Sequence, residues 1–397
     1  MHSSWSNFFQ GALDSRRAAH GFRQRRAGLD FDSADDWLDF GSNDYLGLRH
    51  HPSVISVLSN AESTGSGSSP LLFGYSRLQQ SVEQKIAELT GSESALVFAS
   101  GYACNVGVLA CLATRDDLIL SDQLNHASLI DGCRLSKATT QVFSHSDVQQ
   151  VADYLRDHRG RYQRVVLVTE SVFSMDGDFS PLNDLADVCE RHGCGLVVDE
   201  AHAFGVYGDR GSGRVEELGL GDRVLLKLGT LSKSVGAVGG YAAGSQLLVD
   251  YLINFCRSFM FSTAPAIPNL HAVRSALDQV ESMSDDRARL RELSAGLRDS
   301  LAANGWQVDL SADRDLVEAH APRSDVERPD SPIVPIWVGE SKHALELSQR
   351  LLEQNVYVPA IRPPTVPEGT SRLRVSLSAQ HSDADLRRLV KILGKAD

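Results

Sequence analysis

Residues 195–202 read GLVVDEAH and residues 224–234 read VLLKLGTLSKS, and these two stretches decide the fold. Each is a short apolar run, rich in branched side chains, that stops on polar and chemically active residues. Such a run is a strand buried on both faces, as in a parallel sheet covered by helices. Working outward, the pattern recurs at 95–99, 117–120 and 164–169, with amphipathic stretches such as 181–192 between the runs. The alternation predicts an α/β fold whose mainly parallel central sheet is covered by helices. Sites in such sheets lie at the carboxyl ends of strands. Asp199, His202, Thr230 and Lys233 should therefore share a rim with the segment TESVFSMDG (169–177), which contains Ser174.

Beyond this region a long polar helix at 285–304 and a charged, proline-containing loop at 311–332 interrupt the rhythm. A strand at 333–338, a helix at 343–354, strands at 356–361 and 372–377, and a helix at 383–393 then read as a small C-terminal α+β domain. On the other side, Arg16, Arg17, Arg23, Arg25 and Arg26 fall in a stretch that reads as helical with a solvated face. Residues 37–45 (WLDFGSNDY) read as a short strand entering a turn. The Gly/Ser-rich segment 65–69 is too short to separate domains, and helix resumes at 81–89. The expected division is an N-terminal helix and strand over 1–45, a large α/β domain over 46–284 and the small domain over 285–397.

The chain has 397 residues, enough for two cores, and its formal net charge is −12. A nucleic-acid ligand needs a basic stripe, and no long basic block is present, so that partner is not expected. No apolar run is long enough to span a bilayer, and the first residues lack the apolar core of a signal peptide. A cytoplasmic protein with no membrane partner is the expectation. Cys104, Cys111, Cys133, Cys189, Cys194 and Cys256 show neither a C-x-x-C pair nor a histidine at metal spacing. They read as small buried hydrophobes, without disulfide or structural metal.

The DEAH tetrapeptide (199–202) invites a helicase-type ATPase reading, but no G-x-x-x-x-G-K-[ST] loop accompanies it, since Ser232 precedes Lys233. The segment 65–70 (GSGSSP) likewise lacks the third glycine of a dinucleotide fingerprint. Aspartate, histidine and lysine at strand ends, with hydroxyls between, suit pyridoxal 5′-phosphate (PLP) better. That cofactor needs a lysine for its Schiff base, a carboxylate at its ring nitrogen and donors around its phosphate and phenolic oxygen. Lys233 can supply the imine, and Asp199 can favour the protonated ring that withdraws electrons.

The sequence resembles the α-oxoamine synthases, a branch of the fold-type-I PLP enzymes. The resemblance rests on NDYLGL (43–48), SGYACN (100–105), NHASLIDG (125–132), VFSMDGD (172–178), VVDEAH (197–202) and TLSKS (230–234), and covers nearly the whole chain. It implies an acyltransferase that condenses an amino acid with an acyl thioester. Lys233 would carry PLP, Asp199 would pair with the ring nitrogen, and His126 would stack on the ring. His202 and Ser174 would bond the phenolic oxygen. Gly101 and Tyr102 would offer backbone amides to the phosphate, with Thr230 adding a hydroxyl. Ser262 and Thr263 match residues that reach the phosphate of a partner subunit, which implies a homodimer. Arg374 would hold the substrate carboxylate, with Arg23, Asn43 and Thr365 nearby.

Segment 360–381 (AIRPPTVPEGTSRLRVSLSAQH) is most similar to the biotin-pathway member of the branch, which joins L-alanine to a pimeloyl thioester of coenzyme A or acyl carrier protein. Arg16, Arg17, Arg25 and Arg26 could steer an acidic carrier. One departure is Pro70, where family members commonly carry arginine; it bears on acyl-chain specificity through the shape of that loop. Another branch member, an aminotransferase or a non-enzymatic PLP-fold protein are the alternatives.

Overall fold

The computed structural model describes residues 3–23, 25, 37–308 and 330–396. Its largest sheet has strands β2 (Ser94–Phe98), β3 (Leu118–Asp122), β4 (Thr139–Phe143), β5 (Val165–Glu170), β6 (Gly195–Asp199), β7 (Leu226–Thr230) and β8 (Gly240–Gly244), in the order β2-β8-β7-β6-β5-β3-β4. β8 runs antiparallel to both neighbours, and the other six strands share one direction. The apolar runs of the sequence are these strands. Leu196, Val197 and Val198 have no exposed surface, nor do Leu167 and Val168. Burying each such side chain contributes about 1.5–3 kcal/mol.

Two strands escape the sequence pattern. β4 is an edge strand with an exposed, polar alternation (TTQVF), and β8 (GYAAG) lacks the branched residues that mark a strand. β8 is nevertheless buried, because Ala242 and Ala243 let helices pack closely on both of its faces.

A second sheet, ordered β11-β12-β9, is antiparallel and comprises β9 (Ile333–Gly339), β11 (Ala360–Ile361) and β12 (Ser371–Ser376). The strand expected over 356–361 is two pieces in different sheets. β10 (Val356–Tyr357) pairs in parallel with β1 (Leu38–Asp39), Leu38 opposite Val356. Behind the small sheet, the helices Ser284–Ala303 and Asp383–Leu393 bury Leu290, Leu293, Leu297, Leu386 and Leu389 together with Phe40, Tyr45 and Val172. The N-terminal segment thus forms a separate two-stranded sheet with β10 and shares its core with the small sheet.

The arginine-rich stretch is not one helix. The helix Ser3–Ala18 ends before His20, which adopts φ +51, so only Arg16 and Arg17 lie on it. Arg23 and Arg25 follow in irregular chain, while Arg26 and loop residues 311–329 lie outside the described residues. The 65–69 segment is no linker either, since Ser66 Oγ donates to Ala264 O at 2.8 Å. After it, Pro70 opens a π turn, Pro70–Gly74, in which Gly74 N–H reaches Ser69 O at 2.9 Å. At the first position of that turn a proline sacrifices no needed donor.

The helix Gly101–Leu112 starts directly on β8. A Cβ on Gly240 would sit 2.6 Å from the Gly101 N and Cα atoms and from Ser100 O. Gly240→Ala is therefore expected to cost about 1–3 kcal/mol by overpacking, read as a lower denaturation midpoint. Gly160→Ala, where a Cβ meets nothing within 4 Å, is expected to stay within about 0.5 kcal/mol of wild type.

Candidate active site

The carboxyl ends of β3, β5, β6 and β7 lie along one rim, with the start of β8 beside them. Asp199 closes β6 and is buried. Its carboxylate accepts Asn105 Nδ2–H at 2.6 Å and the Ala201 N–H at 2.9 Å, so its orientation is set from two sides. The same Asn105 amide donates to Ser128 Oγ at 3.0 Å, and that hydroxyl lies 2.7 Å from His126 Nδ1. His126 caps the helix Ala127–Leu135 and accepts Ser128 N–H at Nδ1, which leaves the ring proton on Nε2. Its backbone N–H donates to Glu170 Oε1 at 2.6 Å, and the residue is exposed.

Lys233 stands three residues beyond β7. Its Nζ is 2.7 Å from His202 Nε2, and His202 Nδ1 is 2.6 Å from the Tyr45 hydroxyl. Burial lowers the His202 pKa well below its usual value, and Lys233 and Arg374 lower it further, so the imidazole is neutral. Burial also brings Lys233 down to about 8, against the raising influence of Asp199 and Glu170. Tyr45 is pushed up to about 12, chiefly by burial, and remains a phenol. A neutral imidazole donates at one nitrogen and accepts at the other. His202 can therefore accept from a protonated Lys233 while donating to Tyr45, or donate to a neutral Lys233 while accepting from Tyr45. Glu170 is raised well above the usual carboxyl range, by burial first and then by Asp199, which favours its uncharged form against the lowering influence of Lys233.

At the start of the helix Gly101–Leu112, Ser100 Oγ caps the Ala103 N–H at 3.1 Å, leaving the Gly101 and Tyr102 amides at the helix end outside that cap. Thr230 Oγ1 donates to Gly239 O at 3.0 Å and lies 2.8 Å from Ser232 Oγ. A Cβ on Gly101 would approach Thr230 Cβ and Oγ1 to 3.1 Å, so the glycine keeps this cradle open. The Tyr102 hydroxyl points away to Asp131 at 2.5 Å. Ser262 and Thr263 stand apart in the segment after the helix Arg257–Met260, half-buried and exposed respectively.

Arg374, on β12, is buried and tied down on three sides. Its Nε donates to Ser174 O at 2.6 Å, and its Nη1 donates to Asn43 Oδ1 at 3.0 Å and Ser376 Oγ at 2.6 Å. Ser174 thus meets the site through its carbonyl. Arg23 and Thr365 contact each other, Nη2 to Oγ1 at 2.6 Å; among the described residues no hydrogen bond joins that pair to Arg374.

This donor set fits PLP. Lys233 would carry the cofactor, the fixed Asp199 carboxylate would meet its ring nitrogen, and the glycine-lined helix start with Thr230 and Ser232 would take its phosphate. A family model described as aminotransferase class I and II matches residues 35–393. The chain is 42% identical to the 8-amino-7-oxononanoate synthase of Bordetella petrii, over 91% of this chain and 89% of that one. It is 40% identical to the enzyme of the same name from Thioalkalivibrio sulfidiphilus, over 97% and 96%. The chain belongs to the 8-amino-7-oxononanoate synthase family. PLP is its cofactor. The fold also matches the serine palmitoyltransferase of S. paucimobilis solved with PLP and myriocin bound, at TM-score 0.86 and 27% identity, covering 98% of this chain and 96% of that one.

Sequence reasoning missed four members of this family site: Tyr45, Asn105, Ser128 and Glu170. All four lie inside or beside motifs already quoted, but their partners are 157, 94, 23 and 44 residues away in sequence. Glu170, the last residue of β5, was within reach of the strand-end rule.

Since a neutral amine is the nucleophile and its neutral fraction rises through its pKa, the apoprotein should take up PLP faster as pH rises through about 8. The measurement is the visible absorbance that develops on adding PLP between pH 6 and 10, taken as roughly the range that separates a shifted lysine from an ordinary one. A midpoint near the ordinary lysine value would contradict the buried-amine geometry.

Proposed function

We propose that this chain condenses L-alanine with a pimeloyl thioester, carried on coenzyme A or acyl carrier protein, to give 8-amino-7-oxononanoate, CO2 and free thiol. The observation that carries the reading is Arg374, a buried cation at the rim beside Asn43, whose Nε and Nη1 bonds hold it in one orientation suited to pairing with a substrate carboxylate. The relatives named above supply the substrate class.

When bound, PLP supplies an electron sink for negative charge at the amino acid's α-carbon. The chain's own residues do the rest. Arg374 orients the carboxylate and thereby chooses which α-bond lies across the ring. The Lys233 amine, neutral at mildly alkaline pH, takes and returns the α-proton, and His202 with Tyr45 holds that amine in place. His126, an exposed residue beside Ser128, which bonds Asp199's partner Asn105, would cover the cofactor ring.

The working form is a homodimer in this reading. Leu72 and Phe73 are 83% and 85% exposed, and Phe261, next to Ser262 and Thr263, is 70% exposed. The two segments are joined by the Ala264 N–H to Ser68 O bond at 3.0 Å. An isologous contact over these side chains would bury them and bring Ser262 and Thr263 to the partner's phosphate. The cytoplasm is the compartment that suits these substrates; no described helix is long and apolar enough to cross a membrane.

Incubation with L-alanine and pimeloyl thioesters is expected to release CO2 and free thiol and to yield 8-amino-7-oxononanoate by mass spectrometry. Inert pimeloyl thioesters beside active succinyl, acetyl or long-chain donors, or glycine or serine preferred over alanine, would replace these substrates with others of the same branch. Arg374→Lys should raise the KM for L-alanine on the order of tenfold, because a point ammonium cannot keep the three bonds that orient the planar guanidinium. Light scattering of the PLP-saturated protein should give twice the chain mass, and an active monomer would sink the dimer reading.

A further inference from the structure

We infer that His145 is a positioning residue: held between Asp122 and Asp178, it fixes the 172–178 turn that aims Arg374 at the substrate carboxylate. The inference rests on the carboxylate role proposed above for Arg374.

His145 is 3% exposed. Its Nδ1 is 3.0 Å from Asp122 Oδ1 and its Nε2 is 2.7 Å from Asp178 Oδ2. Ionised carboxylate oxygens only accept, so a ring that satisfies both must carry both protons. His145 is therefore an imidazolium inside the fold. Burial opposes that charge, but the carboxylates more than offset it, Asp178 foremost, and raise the pKa to about 10. Phe173 sets its ring at 88° to the imidazole with centroids 4.3 Å apart. Asp122 and Asp178 are the charged groups facing the ring. The next are Glu170, which interacts with Asp122, and the Arg372–Asp176 pair on the turn.

Asp122 is itself immobile, because it ends β3 and accepts the Leu124 and Ser146 N–H groups at 2.8 and 2.9 Å. Asp178 ends the turn that contains Ser174, whose carbonyl receives Arg374 Nε. On the other side the turn meets the small sheet: Asp176 pairs with buried Arg372, and a Cβ on Gly177 would come within 2.4 Å of Ile333 O. The imidazolium thus ties the turn to the central sheet, while Arg372, Arg374 and Ile333 tie it to the small one. Loosening the first tie leaves the guanidinium bonded to a carbonyl that no longer has a set position.

His145→Gln would leave two buried carboxylates unpaired and put folding at risk, so the test uses Asp178→Asn, which keeps the shape and an acceptor for Nε2. Losing one carboxylate lowers the His145 pKa into the assay range. In the holoenzyme the variant's KM for L-alanine should then rise about tenfold between pH 7 and 9, while kcat and PLP retention hold and wild type shows no such rise. Independently of activity, histidine-selective 15N NMR of wild type at pH 8 should show one ring with both nitrogens protonated, a signature that Asp178→Asn removes. A neutral His145 in wild type, or a variant that loses KM, kcat and PLP equally at every pH, overturns the inference. Arg374→Lys run alongside separates the two ideas: if it leaves the alanine KM unchanged, the carboxylate reading is what fails.

Discussion

In the register of β5, β6 and β7, Glu170 lies beside Asp199 and Asp199 beside Leu228, so two acids end adjacent strands at one level and β7 runs two residues further toward Lys233. Side chains alternate between faces along each strand, and a slip of one residue would turn Asp199 to the opposite face from its Asn105 partner. The buried valines and leucines of these strands make that slip costly on both faces at once. Hydrophobic packing that carries no chemistry thereby sets the geometry of the groups that do.

The electrostatics follow from the same burial. Taking Lys233, His202 and Glu170 out of water favours the uncharged form of each, and the charged neighbours Asp199 and Arg374 decide how far each departs from its ordinary value. Tyr45 reaches this cluster from the N-terminal segment, whose strand is paired with β10 beside the small sheet. The residues proposed to face the cofactor and the Arg374 proposed to face the substrate are thus held by different sheets.

The 172–178 turn is where those sheets meet. Its bonds run to His145 on one side and to Arg372 and Arg374 on the other. A relative shift of the sheets would strain a buried ion pair and a charged hydrogen bond together, and removing one partner of a buried pair costs on the order of 3–5 kcal/mol.

The sequence by itself determined the parallel sheet, the rim at its strand ends and the pair Asp199 and Lys233, because period, branching and strand-end chemistry are local properties written along the chain. It also marked Arg374 and Asn43, which the structure joins at 3.0 Å although 331 residues separate them. It left β4 and β8 unmarked, where an exposed edge and close helix packing override residue preference, and it read as helical a stretch, 16–26, whose helix stops at Ala18. Only the tertiary structure decided that Tyr45 bonds His202, that Asn105 sets Asp199, that β1 pairs with β10 and that His145 sits between two aspartates. Those are contacts between distant segments, and the protonation each imposes depends on burial and facing charges that exist only once the chain has folded.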